Sequence, residues 1–108
     1  MKNIGLPQIK HIGENYVEQW LTENEYANIE KEILQSDDHG LKARGKIENI
    51  LVLVRTFIQP NRPIKLSEYE IDLLNRRAKK QNLKPYVAYV ILDRNNHLVG
   101  EINWERLI

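Results

Sequence analysis

One stretch governs what this chain can fold into. Ile50-Leu51-Val52-Leu53-Val54-Arg55-Thr56-Phe57-Ile58 is apolar at both alternating sets of positions through most of its length. Successive side chains of an extended strand point to opposite faces, so this run presents apolar groups in both directions. Such a strand has to be covered from both sides and cannot sit at an exposed edge. In a chain of 108 residues, that implies one domain, residues 1–108, with layers on both faces of a sheet.

The flanking segments supply the other elements. Gly40 to Lys46 reads as the first arm of a hairpin that turns at Lys46-Ile47-Glu48-Asn49 and runs into the central strand. Ser67-Glu68-Tyr69-Glu70 has the S-x-x-E form of a capping box and opens a helix to about Gln81. Ile71, Leu74 and Ala78 form its apolar stripe. Pro85 stops any helical continuation. Tyr86 to Leu92 reads as a buried strand, Asp93 to His97 as a turn, Leu98 to Asn103 as a returning strand, and Trp104 to Ile108 as a short closing segment. Upstream, Gly13 to Glu25 carries Val17, Trp20 and Leu21 at helical spacing, with Ile9 and Ile12 just before them. Residues 26–35 suit either a longer helix or an edge strand. Thr22-Glu23-Asn24-Glu25 is a break, which favours the strand. The order is helix, three strands, helix, two strands. A helix between the third and fourth strands permits a parallel crossover, hence a mixed α/β sheet with helices on its faces.

Composition removes several classes of function. Apolar residues make up 42% and charged residues 29%, which excludes a disordered or collagen-like chain. No apolar run approaches the roughly 20 residues of a membrane span, so no membrane partner is expected. Met1 to Lys10 has no apolar core of a secretory signal, which makes the cytoplasm the default location. The absence of cysteine excludes disulfides, thiolate zinc sites and a Cys nucleophile. His11, His39 and His97 are too scattered to suggest a histidine metal site, and no cofactor is expected. There is no Gly-rich phosphate loop, H-E-x-x-H or G-x-S-x-G. Charge is uneven: residues 1–40 hold three Lys and eight Asp/Glu (3 − 8 = −5), and residues 41–108 hold thirteen Lys/Arg and seven Asp/Glu (13 − 7 = +6). Such polarity steers a phosphate backbone toward the second part.

The element order and several phrases together resemble the PD-(D/E)xK nuclease superfamily, the restriction-endonuclease-like fold of many restriction enzymes and Holliday-junction resolvases. Gly13-Glu14-Asn15-Tyr16-Val17-Glu18-Gln19-Trp20-Leu21 resembles its opening helix. Gly40-Leu41-Lys42-Ala43-Arg44-Gly45 followed by Leu51-Val52-Leu53-Val54-Arg55-Thr56 resembles its signature hairpin. Leu66-Ser67 through Pro85-Tyr86-Val87-Ala88, and Gly100-Glu101-Ile102-Asn103-Trp104, resemble its second half. The resemblance covers nearly the whole chain from Gly13 and implies an αβββαββ fold.

In that family, an Asp on one strand and an Asp or Glu on the next hold Mg²⁺ through oxygen. A Lys two residues on stabilises charge or orients water. Matched to this pattern, Gly40 stands at the aspartate, Leu53 at the second acid and Arg55 at the lysine. Both metal carboxylates are replaced, and a guanidinium cannot act as a base. Asp37 and Asp38, just before Gly40, could return a carboxylate only through a slipped register. The resemblance therefore implies a degenerate site with no metal and no confident catalytic residue, with Glu14 adjacent. Arg55 on a dry strand needs an acid or a phosphate, and Glu14 is the expected partner.

Phosphate contacts are expected from Lys42, Arg44 and Arg55, and from Arg76, Arg77 and Lys80 on the second helix. The corresponding partner is DNA or RNA. A homodimerising or protein-interaction subunit without nucleic-acid affinity is one alternative; an active Mg²⁺-dependent nuclease with relocated carboxylates is another. Tyr16, Trp20, Tyr69, Tyr86, Tyr89 and Trp104 are expected in the core or an interface rather than as base-stacking platforms.

Overall fold

The computed structural model describes residues 6–34 and 38–107. Asp37, Ile108 and the first five residues lie outside that set. Seven elements follow one another: α1 (Leu6–Glu23), β1 (Ala27–Ile33), β2 (His39–Arg44), β3 (Asn49–Ile58), α2 (Glu68–Lys80), β4 (Lys84–Leu92) and β5 (Asn103–Arg106). The strands form one sheet in the order β1-β2-β3-β4-β5. β3 pairs antiparallel with β2 and parallel with β4, and the two outer pairings are antiparallel. The αβββαββ order and the central place of β3 are those expected from the sequence. No helix among the described residues is long and apolar enough to cross a membrane.

The alternation of β3 divides the core into two. Ile50, Val52 and Val54 join Leu41, Ala43, Ala88, Val90 and Leu92 under Val17 and Leu21 of α1. Leu51 and Leu53 join Val87, Tyr89 and Leu107 under Leu74 and Ala78 of α2. Each helix thus seals one face, as the two-sided run requires. Gly13 sets how closely α1 can lie on the sheet: a Cβ there would fall 1.8 Å from Oγ1 of Thr56 on β3.

Local chemistry explains the ends of both helices. Tyr26 N–H donates to Leu21 O and Glu25 N–H to Thr22 O, with Glu25 at φ 67°, so α1 closes in a Schellman turn. That is the break foreseen at Thr22–Glu25, and residues 27–33 are accordingly a strand. α2 opens with the full Ser67/Glu70 capping box. It closes in the same way as α1 through Asn82 at φ 58°, with Leu83 N–H donating to Ala78 O.

Three boundaries differ from the sequence reading. α1 begins at Leu6 rather than Gly13. Pro7 lies in its first turn, where an N–H has no intrahelical acceptor to lose, so the apolar Ile9 and Ile12 belong to the helix. β4 begins at Lys84, because Pro85 tolerates the start of a strand. The last strand is Asn103–Arg106, not Leu98–Asn103. Gly100 at φ 68° bends the chain away after a single bridge between Leu92 and Leu98. Trp104 then packs on Trp20 with ring centroids 4.7 Å apart, which anchors the final pairing. The Asp93–His97 turn is as expected. Asp93 accepts from Asn95 N–H at 2.8 Å and His97 N–H at 3.0 Å, and its carboxyl is held below the usual range, first by the His97 amide.

The Gly13 contact gives a direct test. Alanine normally gains about 1 kcal/mol over glycine inside a helix. At Gly13 the overlap with Thr56 should reverse that sign, so Gly13→Ala should lose roughly 1–3 kcal/mol in denaturant unfolding. Thr56 Oγ1 is buried without a hydrogen-bond partner among the described residues, so Thr56→Ala should cost little alone. The double variant should recover part of the Gly13→Ala loss.

Candidate nucleic-acid interface

The β2–β3 register decides where the resemblance positions lie. Gly40 pairs directly with Leu53. Both face α2: a Cβ on Gly40 would lie 2.8 Å from Leu34 Cδ1, and Leu34, Leu53 and Leu74 share one buried cluster. Arg55 follows on the same face. Beside them is a cavity of about 270 Å³, lined by Leu34, Leu53, Tyr69, Leu73 and Leu74 together with Asp38, Glu70 and Arg77. The place implied for a metal site is therefore an apolar recess with charged neighbours.

Arg55 does not meet Glu14, contrary to the expected ion pair. Its guanidinium donates to Asp38 Oδ2 at 3.0 Å and to Glu70 at the start of α2. Burial opposes the charge on Arg55, but the hydrogen bond to Glu70 and the charges of Asp38 and Glu70 outweigh it and raise its pKa. The Glu70 carboxyl is held below its usual range, chiefly by the Ser67 backbone N–H and then by Arg55. Asp38, considered for a slipped metal site, is thus a counter-ion of Arg55.

Glu14 lies on the opposite face of the sheet. It is 3% exposed and sits between Lys31 Nζ at 3.1 Å and His39 Nδ1 at 2.7 Å. Strand parity puts Glu14 and Arg55 on opposite faces. On β2, odd positions 39, 41 and 43 face α1, while even positions 40, 42 and 44 face α2. On β3 the parity is reversed, so Arg55 faces away from α1. The sequence reading missed His39 and Lys31 as partners of Glu14. Parity was the available signal, since His39 shares its face with Leu41 and Ala43, which α1 covers.

The remaining basic residues separate by what already holds them. Arg77 pairs with Glu32 at 3.2 Å, and Glu32 also accepts from Gln81. Arg76 makes only an exposed pair with Asp72 on its own helix. Lys42 donates to Gln81 Oε1 at 3.2 Å and lies 3.6 Å from Glu30. Arg44 and Lys80 are exposed and make no ion pair among the described residues. Lys42, Arg44, Asn28, Asn49 and Gln81, with the carboxylate of Glu30 beside Lys42, line an open trough of about 600 Å³ between the β1–β2 edge and the end of α2. Arg77, Lys79 and Lys80 occupy the last turn of that helix. This arrangement gathers cationic and amide donors suited to an anionic backbone.

No family model matches this chain, and no curated protein matches it. Among solved structures, it is similar to Hjc, a Holliday junction resolvase from the archaeal hyperthermophile Archaeoglobus fulgidus. The identity is 17% and the TM-score 0.49, over 88% of this chain and 72% of that one.

Double-mutant cycles test the ion-pair assignment. Arg55→Leu and Glu70→Gln should couple by about 0.5–1 kcal/mol, a modest figure because Glu70 is partly exposed and screened. Arg55→Leu and Glu14→Gln should be additive. Because the Glu70 pKa is lowered by folding, its stabilisation is present above the ordinary carboxylate value of 4.5 and is lost as pH falls through the lowered value. Glu70→Gln should therefore flatten the fall of Tm with pH in that acidic window.

Proposed function

We propose that this chain is a nucleic-acid-binding domain that engages the phosphate backbone without metal-dependent cleavage. The observation that carries the reading is the trough beside α2, where Lys42 and Arg44 stand next to Asn49 and Gln81, and Arg44 has no ion pair among the described residues. Lys42 and Arg44 are the primary phosphate contacts. Lys80 extends the cationic surface along α2. Arg76 can exchange its exposed partner Asp72 for a phosphate, since exposed pairs are worth about 1 kcal/mol or less. Arg55 and Arg77 play a structural part, tying β3 and β1 to α2. The likeness of the sequence to nuclease phrases supports this reading, and Gly40 and Leu53 supply no side-chain oxygen to a metal.

Backbone binding of this kind is salt-dependent, because each neutralised phosphate releases a counter-ion. A labelled DNA duplex followed by anisotropy should bind at low salt, with log K falling linearly in log salt. Arg44→Ala and Lys80→Ala should each weaken binding uniformly across sequences and reduce the slope by about 1. Arg55→Ala should leave the slope unchanged. With Mg²⁺ present, gel analysis should show intact strands. Absence of binding at low salt, or Mg²⁺-dependent cleavage, would overturn the proposal.

A further inference from the structure

The chain has two tryptophans, Trp20 and Trp104, and they touch. Their planes are inclined at 45°. Tyr86 meets Trp104 edge-on with centroids 6.3 Å apart, so an aromatic row runs across the α1 side of the sheet. The Tyr86 end of this row already holds a guanidinium. Arg106 Cζ lies 5.8 Å over the Tyr86 ring, and Arg106 pairs with Glu48 at 3.3 Å. Tyr86 donates its hydroxyl to Glu48; burial, then this bond, pushes its pKa up to about 12. Aromatic face, guanidinium and carboxylate thus occur together.

At the Trp20 end the same parts are present without the cation. A groove of about 470 Å³ is lined there by Tyr16, Trp20 and Trp104, by the aliphatic Ile102, and by Glu23 and Glu101. No Lys, Arg or His is among its lining residues. Glu101 is exposed and makes no ion pair among the described residues, and Glu23 accepts from the neutral amide of Gln19 at 2.9 Å. Ring faces carry negative quadrupole potential, and two carboxylates add to it. The groove is complementary to a cation on an apolar stem and repels phosphate.

We propose that this groove binds an arginine side chain presented by a segment of a partner protein. The planar guanidinium can lie on an indole face while its donors reach Glu101 or Glu23, and its methylenes can lie against Ile102. A compact, strongly hydrated ammonium fits the same groove less well. The Arg106–Tyr86–Glu48 arrangement is the chain's own example of this recognition. The site is independent of the trough beside α2.

Both tryptophans belong to the groove, so emission excited at wavelengths that tyrosine does not absorb reports on it. The probes are a terminally capped Leu-Arg-Leu peptide and its Leu-Gln-Leu counterpart. The arginine peptide should give a saturable emission change, with the glutamine peptide weaker by roughly 5- to 30-fold. Glu101→Gln should weaken the arginine peptide roughly two- to fivefold and leave the glutamine peptide unaffected. Glu101 is exposed, so an unchanged Tm checks that this variant keeps the fold. Equal affinity for the two peptides, or no saturation by the arginine peptide, would overturn the proposal. So would an emission change with protein concentration alone, accompanied by a dimer in sedimentation, since the groove would then be a self-interface.

Discussion

Every other feature depends on the need to cover β3 from both sides. A strand with Ile50, Val52 and Val54 on one face and Leu51 and Leu53 on the other leaves no face for water. Burying one such side chain is worth about 1.5–3 kcal/mol, so leaving either face open would forfeit several such contributions in a domain of marginal stability. α1 and α2 answer this demand from opposite sides, and the parallel β3–β4 pairing follows from the chain crossing over through α2. The division also sorts the chemistry. Polar groups that enter β2 and β3 are assigned to one helix or the other by a shift of one residue.

That sorting changes what the charge distribution means. Along the chain, acids dominate the first forty residues and bases the remainder. In the fold, β1 and β2 lie beside α2 and the following strands, and the two populations interleave. Glu25 pairs with Lys46, Glu32 with Arg77 and Asp38 with Arg55, while the exposed Glu30 holds Lys42 only at 3.6 Å. Much of the basic excess is therefore spent within the molecule. What remains for a phosphate partner is the set that folding leaves unpaired or weakly paired, centred on Arg44, Lys42 and Lys80. Linear charge shows that cations exist, while register shows which of them are available.

The features that could be read from the sequence were those with a local cause. The two-sided run placed β3 at the centre, and Ser67-Glu68-Tyr69-Glu70 placed the start of α2, because a capping box acts within one turn. Arg55's need for an acid was also readable, since a dry strand does not hold an unpaired guanidinium. Its identity was not, because Asp38 and Glu70 reach it from 17 and 15 residues away by tertiary packing. The capping box explains the bond of Glu70 to Ser67, and the same carboxylate also serves Arg55. The last strand was misplaced for a related reason. Leu98 to Asn103 has strand-like residues, but the tilted contact of Trp104 with Trp20 joins segments 84 residues apart and overrides local propensity.

The trough beside α2 and the groove at Trp20 and Trp104 differ in electrostatic character. On the α2 side, Lys42 and Arg44 border the trough, and the last turn of α2 adds three cations. On the α1 side, the groove at Trp20 and Trp104 carries only Glu23 and Glu101 as charged lining residues. A polyanion approaching such a molecule is attracted by one surface and repelled by the other, which orients it before contact. With a Debye length of about 8 Å at physiological salt, each field acts mainly at its own surface. The sheet between them is a dry layer that keeps the two sets of side chains apart. The two proposed ligands, a phosphate backbone and an arginine-bearing protein segment, would then occupy opposite sides of the sheet, and neither would have to displace the other.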